Sequence, residues 1–112
     1  LAQAFGSLAS DLHTHLDREE QALFPVCRAL DAGETPTDRN GLLDELEHDH
    51  ADVGEALLLL RELASGYDLA AARGSTHRAL LEGLQALERD LHLHIHEENN
   101  VLFPRVRERL GA

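Results

Sequence analysis

The sequence predicts an all-α chain of three long helices in up-and-down order, and three observations carry that prediction. Leu, Ala, Glu and Arg dominate and β-branched residues are few, a composition that favours helix. Apolar residues recur at steps of three and four instead of alternating. The stretches that break this spacing, "DAGETPTD" at 31–38 and "SGYD" at 65–68, are short and rich in turn-forming and capping residues.

The first helix is predicted over about residues 3–30, where the apolar spacing holds. Gly33 and Pro36 end it, and Thr35 can cap the next start with Pro36 in its first turn. The second is predicted over about residues 37–65, closed by Gly66 as a left-handed cap. The third runs towards residue 110, but Gly74 and Ser75 interrupt its beginning, so residues 68–74 are expected to form a loop or a separate turn. Pro25 and Pro104 each fall late in a helical pattern. Each removes one backbone donor and should kink or loosen its helix.

The 112 residues make one domain, 1–112, with room for a single modest core. The chain opens on Leu1, contains no Met and already runs in helical apolar spacing at Ala4, Phe5, Leu8 and Leu12. It is therefore expected to begin inside an element and to be N-terminally incomplete. A formal charge of −11, with ten scattered basic residues that are all Arg, leaves no basic stripe to follow phosphates, so nucleic acid is not an expected partner. The longest apolar run, Ala56–Leu60, is far short of the roughly 20 residues a bilayer span needs. No charged-then-apolar leader opens the chain, so no membrane partner and a cytoplasmic location are expected. Cys27 stands alone, can form no internal disulfide, gives no C-x-x-C pattern and is expected to be a small packed residue.

Two stretches carry the chemistry. "DLHTHLDREEQALFP" at 11–25 and "DLHLHIHEENNVLFP" at 90–104 align without a gap, sharing Asp, Leu, His, His, Glu, Leu, Phe and Pro in register. On the first helix Phe5, Leu8, Leu12, His15, Glu19, Ala22 and Val26 step by threes and fours, the spacing of one buried stripe. Leu80, Leu84, Leu87, Leu91, His94, Glu98 and Val101 do the same on the third. In both, a His and a Glu replace apolar residues at the centre. The second stripe is Leu43, Leu46, His50, Val53, Leu57 and Leu60, with one His in place of an aliphatic residue.

The other histidines fall elsewhere. His13, His92 and His96 lie two positions from their inward neighbours, about 200° around the helix. His48 shares a solvated face with Asp44, Glu45, Asp52 and Glu55. His77 lies on the third stripe but 17 residues before His94, roughly 25 Å along the axis at 1.5 Å per residue. Height agrees with direction: His15 lies about 16 residues before the first connection and His50 about 14 after it, so antiparallel helices bring them level. His94 matches that height best if the packed part of the third helix begins near Ser75. With the first and third helices parallel, the repeated word sets identical groups around a pseudo-twofold axis.

Three imidazoles and two carboxylates would thus converge in a small core, with no Lys or Arg at an inward position beside them. A buried neutral polar group without a partner costs about 1–3 kcal/mol and an unpaired carboxylate more. A cation resolves all five at once. His and Glu four apart share one helix face, and each carboxylate has two oxygens and can bridge. The set suits two ions a few ångström apart better than one, and resembles di-iron bundles, although those use Glu-x-x-His spacing. Imidazole and carboxylate without thiolate favour iron, with manganese or zinc also compatible. Leu23, Phe24, Leu102 and Phe103 are read as core and end packing, with an apolar collar that limits access of water as a second role.

"HLDREEQALFP", "EHDHADVGEALLLL" and "HIHEENNVLFPR" resemble the second, third and fourth bundle helices of the hemerythrin-like, HHE cation-binding domain. More narrowly they resemble the bacterial repair-of-iron-centres family, the di-iron proteins of nitrosative and oxidative stress. The likeness covers essentially the whole chain, and "EENNVLFPR" is its most specific part. It implies a hemerythrin-like four-helix bundle of which three helices are present here. It also implies metal ligands at His15, Glu19, His50, His94 and Glu98, with Glu19 and Glu98 bridging two iron ions. The family's first bundle helix, which brings a sixth histidine ligand, has no counterpart. An upstream segment, a second copy of the chain, solvent or a neighbouring side chain would take its place.

The resemblance implies repair of iron-sulfur centres damaged by nitric oxide or peroxide, with iron-sulfur proteins as clients. No general base beyond the ligands is evident, so whether the chain is an enzyme stays open. The alternative is a hemerythrin-type module that reversibly binds O2 or NO as carrier or sensor. A metal-free bundle whose buried histidines answer to pH is a third reading.

Overall fold

A computed structural model describes residues 1–34, 36 and 40–111. Helix α1 (Ala2–Arg18) passes through a widened π turn (Glu19–Leu23) into α2 (Phe24–Asp31), and the backbone stays right-handed helical throughout, so the three form one rod. The second rod is α3 (Asn40–Leu63). Two single 3-10 turns, Ser65–Tyr67 and Leu69–Ala71, lead to the third, in which α4 (Ser75–Glu97), a second π turn (Glu98–Leu102) and α5 (Phe103–Arg109) are again continuous. Among the described residues there is no strand, and no helix long and apolar enough to cross a membrane. The capping expectation at Thr35 lies outside the described residues.

Cross-rod contacts give the up-and-down order. Leu8 packs with Leu57 and Leu60, His15 meets His50, and Val26 packs with Leu43, so the second rod runs back along the first. Arg61 meets Glu88, His50 meets Glu98 and Glu47 meets Arg107, so the third returns along the second. The bundle is 55 × 22 × 19 Å.

The core is two apolar clusters. Leu8, Val53, Leu57, Leu60, Tyr67, Leu81 and Leu84 fill the end near the second connection. Leu23, Val26, Leu43, Leu46, Phe103 and Val106 fill the end near the first, with Cys27 half-buried against them. Every residue of the predicted second stripe is buried.

The third rod departs from its predicted stripe. Leu84 and Glu98 are inward and Leu91 half-buried, but the positions between them are Leu81, Glu88 and Ile95 rather than Leu80, Leu87 and His94. Two phases one residue apart share 84, 91 and 98, and contacts with the other rods select the second. Leu80, at 48% exposure, and Val101, at 52%, lie on the open side. On the first rod Phe5 is likewise exposed, whereas Leu8, His15, Glu19 and Val26 are buried.

The prolines act through the π turns. Phe24 N–H bonds the Glu19 carbonyl, and Phe103 N–H the Glu98 carbonyl, each five residues back instead of four. The next residue in each case is proline, which has no N–H to give, so the loosening expected there takes the form of one widened turn. That turn shifts the helical phase. Phe103, not Val101, is buried, and the twin word Leu-Phe-Pro buries Leu23 with Phe24 exposed in one copy and Phe103 with Leu102 half-buried in the other.

Glu88 is buried, and Arg61 closes on its carboxylate with Nε–H bonds of 3.2 Å to both oxygens and a terminal N–H bond of 2.6 Å. The same guanidinium lies 5.4 Å from the Tyr67 ring centroid, tying the second connection to the bundle. Gly66 has φ 68°, the left-handed conformation expected of it, flanked by Ser65 at 54° and Tyr67 at 61°.

Burial on the second rod predicts a sharp contrast between neighbours. Leu57→Ala should lower unfolding stability by about 2–5 kcal/mol, and the exposed Leu58→Ala should change it by less than about 0.5 kcal/mol. Urea unfolding of the full-length protein reads both, and equal losses would mean that the helix has been rotated wrongly.

Candidate metal centre

Between the two apolar clusters lies a polar layer. His15, Glu19, His50 and Glu98 are all buried, and each offers an atom within 4.8 Å of the others. The first rod contributes His15 and, one turn later at the start of its π turn, Glu19. The third contributes Glu98 at the same place in its own π turn, and the second contributes His50. His15 Nε2 is 2.9 Å from Glu19 Oε1 and 3.8 Å from Glu98 Oε1. His50 Nε2 is 2.9 Å from Glu98 Oε1 and 3.2 Å from His15 Nε2.

His94 joins from the open side. Its Nε2 lies 3.1 Å from Glu98 Oε1 and 3.9 Å from Glu19 Oε1, but half of its side chain is exposed, in contrast to the fully inward position expected. All five predicted residues therefore meet, four from within and one from the rim. His13, His48, His92 and His96 are exposed and none reaches the layer. His77 is half-buried near the second connection, where its Nδ1 accepts from the Arg73 N–H.

The outer nitrogens are held by residues the sequence did not single out. His15 Nδ1 donates to Asp49 Oδ2 at 3.2 Å, and Arg18 grips both Asp49 oxygens at 2.6 and 2.8 Å. His50 Nδ1 donates to Asn99 Oδ1 at 2.7 Å, and its ring stacks on Phe103 with centroids 5.4 Å apart. These bonds leave both Nε2 lone pairs facing inward. A signal existed: Asp49 stands between two histidines in "HDH" and Asn99 follows Glu98. Their use depends on contacts between rods, which spacing within one helix does not contain.

The charges of the layer follow from this arrangement. Burial opposes a charged His15, but bonds to Glu19, Glu98 and Asp49 outweigh it and push the imidazole up to about 10. Burial raises the Glu19 carboxyl, and the neighbouring Glu98 reinforces the rise. Burial would raise Glu98 too, but bonds from His15 and His50 overturn it and hold that carboxyl well below the usual range. Glu19 Oε1 is buried, with the His15 and His94 imidazoles at 2.9 and 3.9 Å and no hydrogen bond of good geometry to it among the described residues. The layer thus concentrates lone pairs and negative charge on one point, with no Lys or Arg among its members, whereas the buried Glu88 has its own Arg61. A cation fits this donor set and the orphaned oxygen.

A groove of about 610 Å³ opens on the layer from the side where His94 stands. Its walls include Phe24, Val101, Leu102 and Arg105, and its floor includes Glu19, His94 and Glu98. Phe103, fully buried, stacks on His50 and covers that side of the layer, and Leu23 is fully buried in the same apolar cluster; Phe24 lines the groove instead.

Comparison with known proteins agrees with this geometry. The hemerythrin HHE cation binding domain model matches residues 1–106. The chain is similar to the iron-sulfur cluster repair protein YtfE of Edwardsiella ictaluri, 37% identical over 105 residues that make up 94% of this chain and 46% of that protein. It is 35% identical over 105 residues to YtfE of Musicola paradisiaca, with the same shares covered. It is 32% identical over 92 residues to the iron-sulfur cluster repair protein ScdA of Staphylococcus epidermidis, covering 82% of this chain and 41% of the relative. The chain spans less than half the length of these relatives. No solved structure matches it significantly. A helical bundle with a buried histidine and glutamate layer, matched over nearly all its length, belongs to the hemerythrin HHE cation-binding family.

Proposed function

We propose that the chain is a non-haem di-iron domain serving the repair of iron-sulfur centres damaged by nitric oxide or peroxide, in the cytoplasm. The observation that carries the metal assignment is the meeting of three Nε2 atoms and two buried glutamates at one point. His15, His50 and His94 would serve as nitrogen ligands, and Glu19 and Glu98 as bridging carboxylates. Two positions suit five ligands that include two bidentate groups better than one does. Ligand type favours iron, with manganese or zinc also compatible. The repair role is supported by the printed names of the similar proteins, and iron-sulfur proteins would be its clients.

Bound iron would supply one-electron chemistry and reversible binding of small ligands. The residues of the chain govern the rest. The Nδ1 bonds to Asp49 and Asn99 orient His15 and His50, and the apolar clusters keep bulk water from two sides. The groove beside His94 gives diatomic molecules or peroxide a path, and leaves a place for one further ligand from an upstream helix or a second copy.

That open path also favours a second reading, a hemerythrin-type carrier or sensor of O2 or NO. Anaerobic mixing of reduced, iron-loaded protein with oxygen separates the two. Rapid oxidation without a stable adduct is expected for repair, whereas a reversible oxygenated spectrum would favour the carrier.

Two further outcomes test the ligands. Glu98→Ala should lower iron affinity by more than about tenfold, since outer partners alone are worth about 10- to 100-fold, while the exposed His96→Ala should leave it unchanged. Iron analysis after dialysis reads this, and comparable losses would discard the assignment of the inward face. In chelator-stripped protein His15 keeps its proton up to about pH 10, and a cation must displace it. Apparent Zn²⁺ affinity should therefore rise about tenfold per pH unit for one released proton, measured by chelator competition from about pH 6.5 to 8.5. A flat profile would show that His15 is not displaced.

A further inference from the structure

We infer that Arg18 and Asp49 form a tuning pair for the metal centre. Asp49 draws on the Nδ1 proton of His15 and makes it the strongest imidazole donor of the cluster, and Arg18, by sharing the same carboxylate, limits that draw. The inference rests on the iron site proposed above.

The three imidazoles have three different outer environments. His15 donates to an ionised carboxylate, His50 to a neutral amide, and His94 stands half-exposed at the groove. Hydrogen bonds to ionised acceptors are roughly twice as strong as neutral ones, and an imidazole that donates to a carboxylate becomes a more basic ligand. More electron density on Nε2 favours the more highly charged state of the ion it meets. His15 would therefore stabilise ferric over ferrous iron more than His50 does.

Arg18 opposes this effect through a shared atom. Asp49 Oδ2 accepts from Arg18 at 2.8 Å and from His15 at 3.2 Å, and Oδ1 accepts from Arg18 at 2.6 Å. The bond from His15 is the longest of the three, and it is also longer than the 2.7 Å bond from His50 to Asn99. Asp49 is mostly covered, with 17% of its side chain exposed, while Arg18 reaches it from the surface at 42%. The duplicated word separates ligands from tuning: with the 79-residue offset, His15 and Glu19 match His94 and Glu98, but Arg18 matches Glu97 and Glu20 matches Asn99. One half of the centre carries a charged outer pair that the other lacks.

Reduction potentials of the full-length, iron-loaded protein test this, because loosening and tuning predict different signs. Asp49→Asn should shift the oxidised-to-reduced equilibrium about tenfold towards ferrous iron, raising the midpoint by about 59 mV for a one-electron step. Arg18→Gln should shift it in the opposite direction by a similar factor, because the freed carboxylate pulls harder on His15. In the Asp49→Asn background, Arg18→Gln should do nothing further. Shifts of equal sign, no shift in Arg18→Gln, or an undiminished Arg18 effect without Asp49 would each overturn the inference. If Asp49→Asn cannot hold iron, the sign of the Arg18→Gln shift decides alone. Failure of the unaltered protein to bind iron would instead overturn the site assignment, and the tuning pair with it.

Discussion

The fold is organised around one electrostatic problem, the confinement of two carboxylates and the lone pairs of two imidazoles in a buried layer between apolar clusters. Packing alone would fill that layer with leucine, as it does on both sides. With both Nδ1 atoms committed to outer acceptors, the inner nitrogens have no proton to share in their neutral forms, so His15 and His50 face each other at 3.2 Å as acceptors. The raised His15 and lowered Glu98 express the same fact: the layer holds on to positive charge, as a proton where no larger cation is present. Cations bound there would turn a destabilising cluster into a crosslink among three rods.

The repeat in the sequence becomes a pseudo-symmetric pair of rods, each carrying a His, a Glu four residues later, and a π turn that the following proline favours. The symmetry fails in ways that suit a working site. Glu19 and Glu98 occupy equivalent places, yet His15 is sealed and His94 faces a groove. Phe103 stacks on His50 while its twin Phe24 lines that groove. One side of the layer is thus buried against Phe103, and the other opens on the groove.

The sequence exposed most of this where one helix carried the information. The inward stripe of the second rod was legible to the residue: Leu42, Leu58 and Leu59 offer apolar neighbours, but only the phase through Leu43, Leu46, His50, Val53, Leu57 and Leu60 keeps aliphatic residues on both sides of the one His. The third carries apolar residues at both 80 and 81, and at 101, 102 and 103, so its 3.6-residue pattern fits two phases, and the π turn carries Val101 out of the stripe while Phe103, read as core, is buried. The five residues proposed as ligands nevertheless converge, since both phases share Glu98 and His94 stays within reach of the layer from its rim. Asp49, Asn99 and the Arg61–Glu88 pair were not found. Each works across rods, and a charged residue in a sequence looks the same whether it faces water or a buried partner.

Diffraction from crystals of the iron-loaded protein at the iron absorption edge examines the central claim without intermediary. Two anomalous peaks are expected, about 3.5–4 Å apart as in two-metal sites, enclosed by His15, Glu19, His50, His94 and Glu98. Iron bound elsewhere, with these five side chains hydrogen-bonded directly to one another, would contradict it.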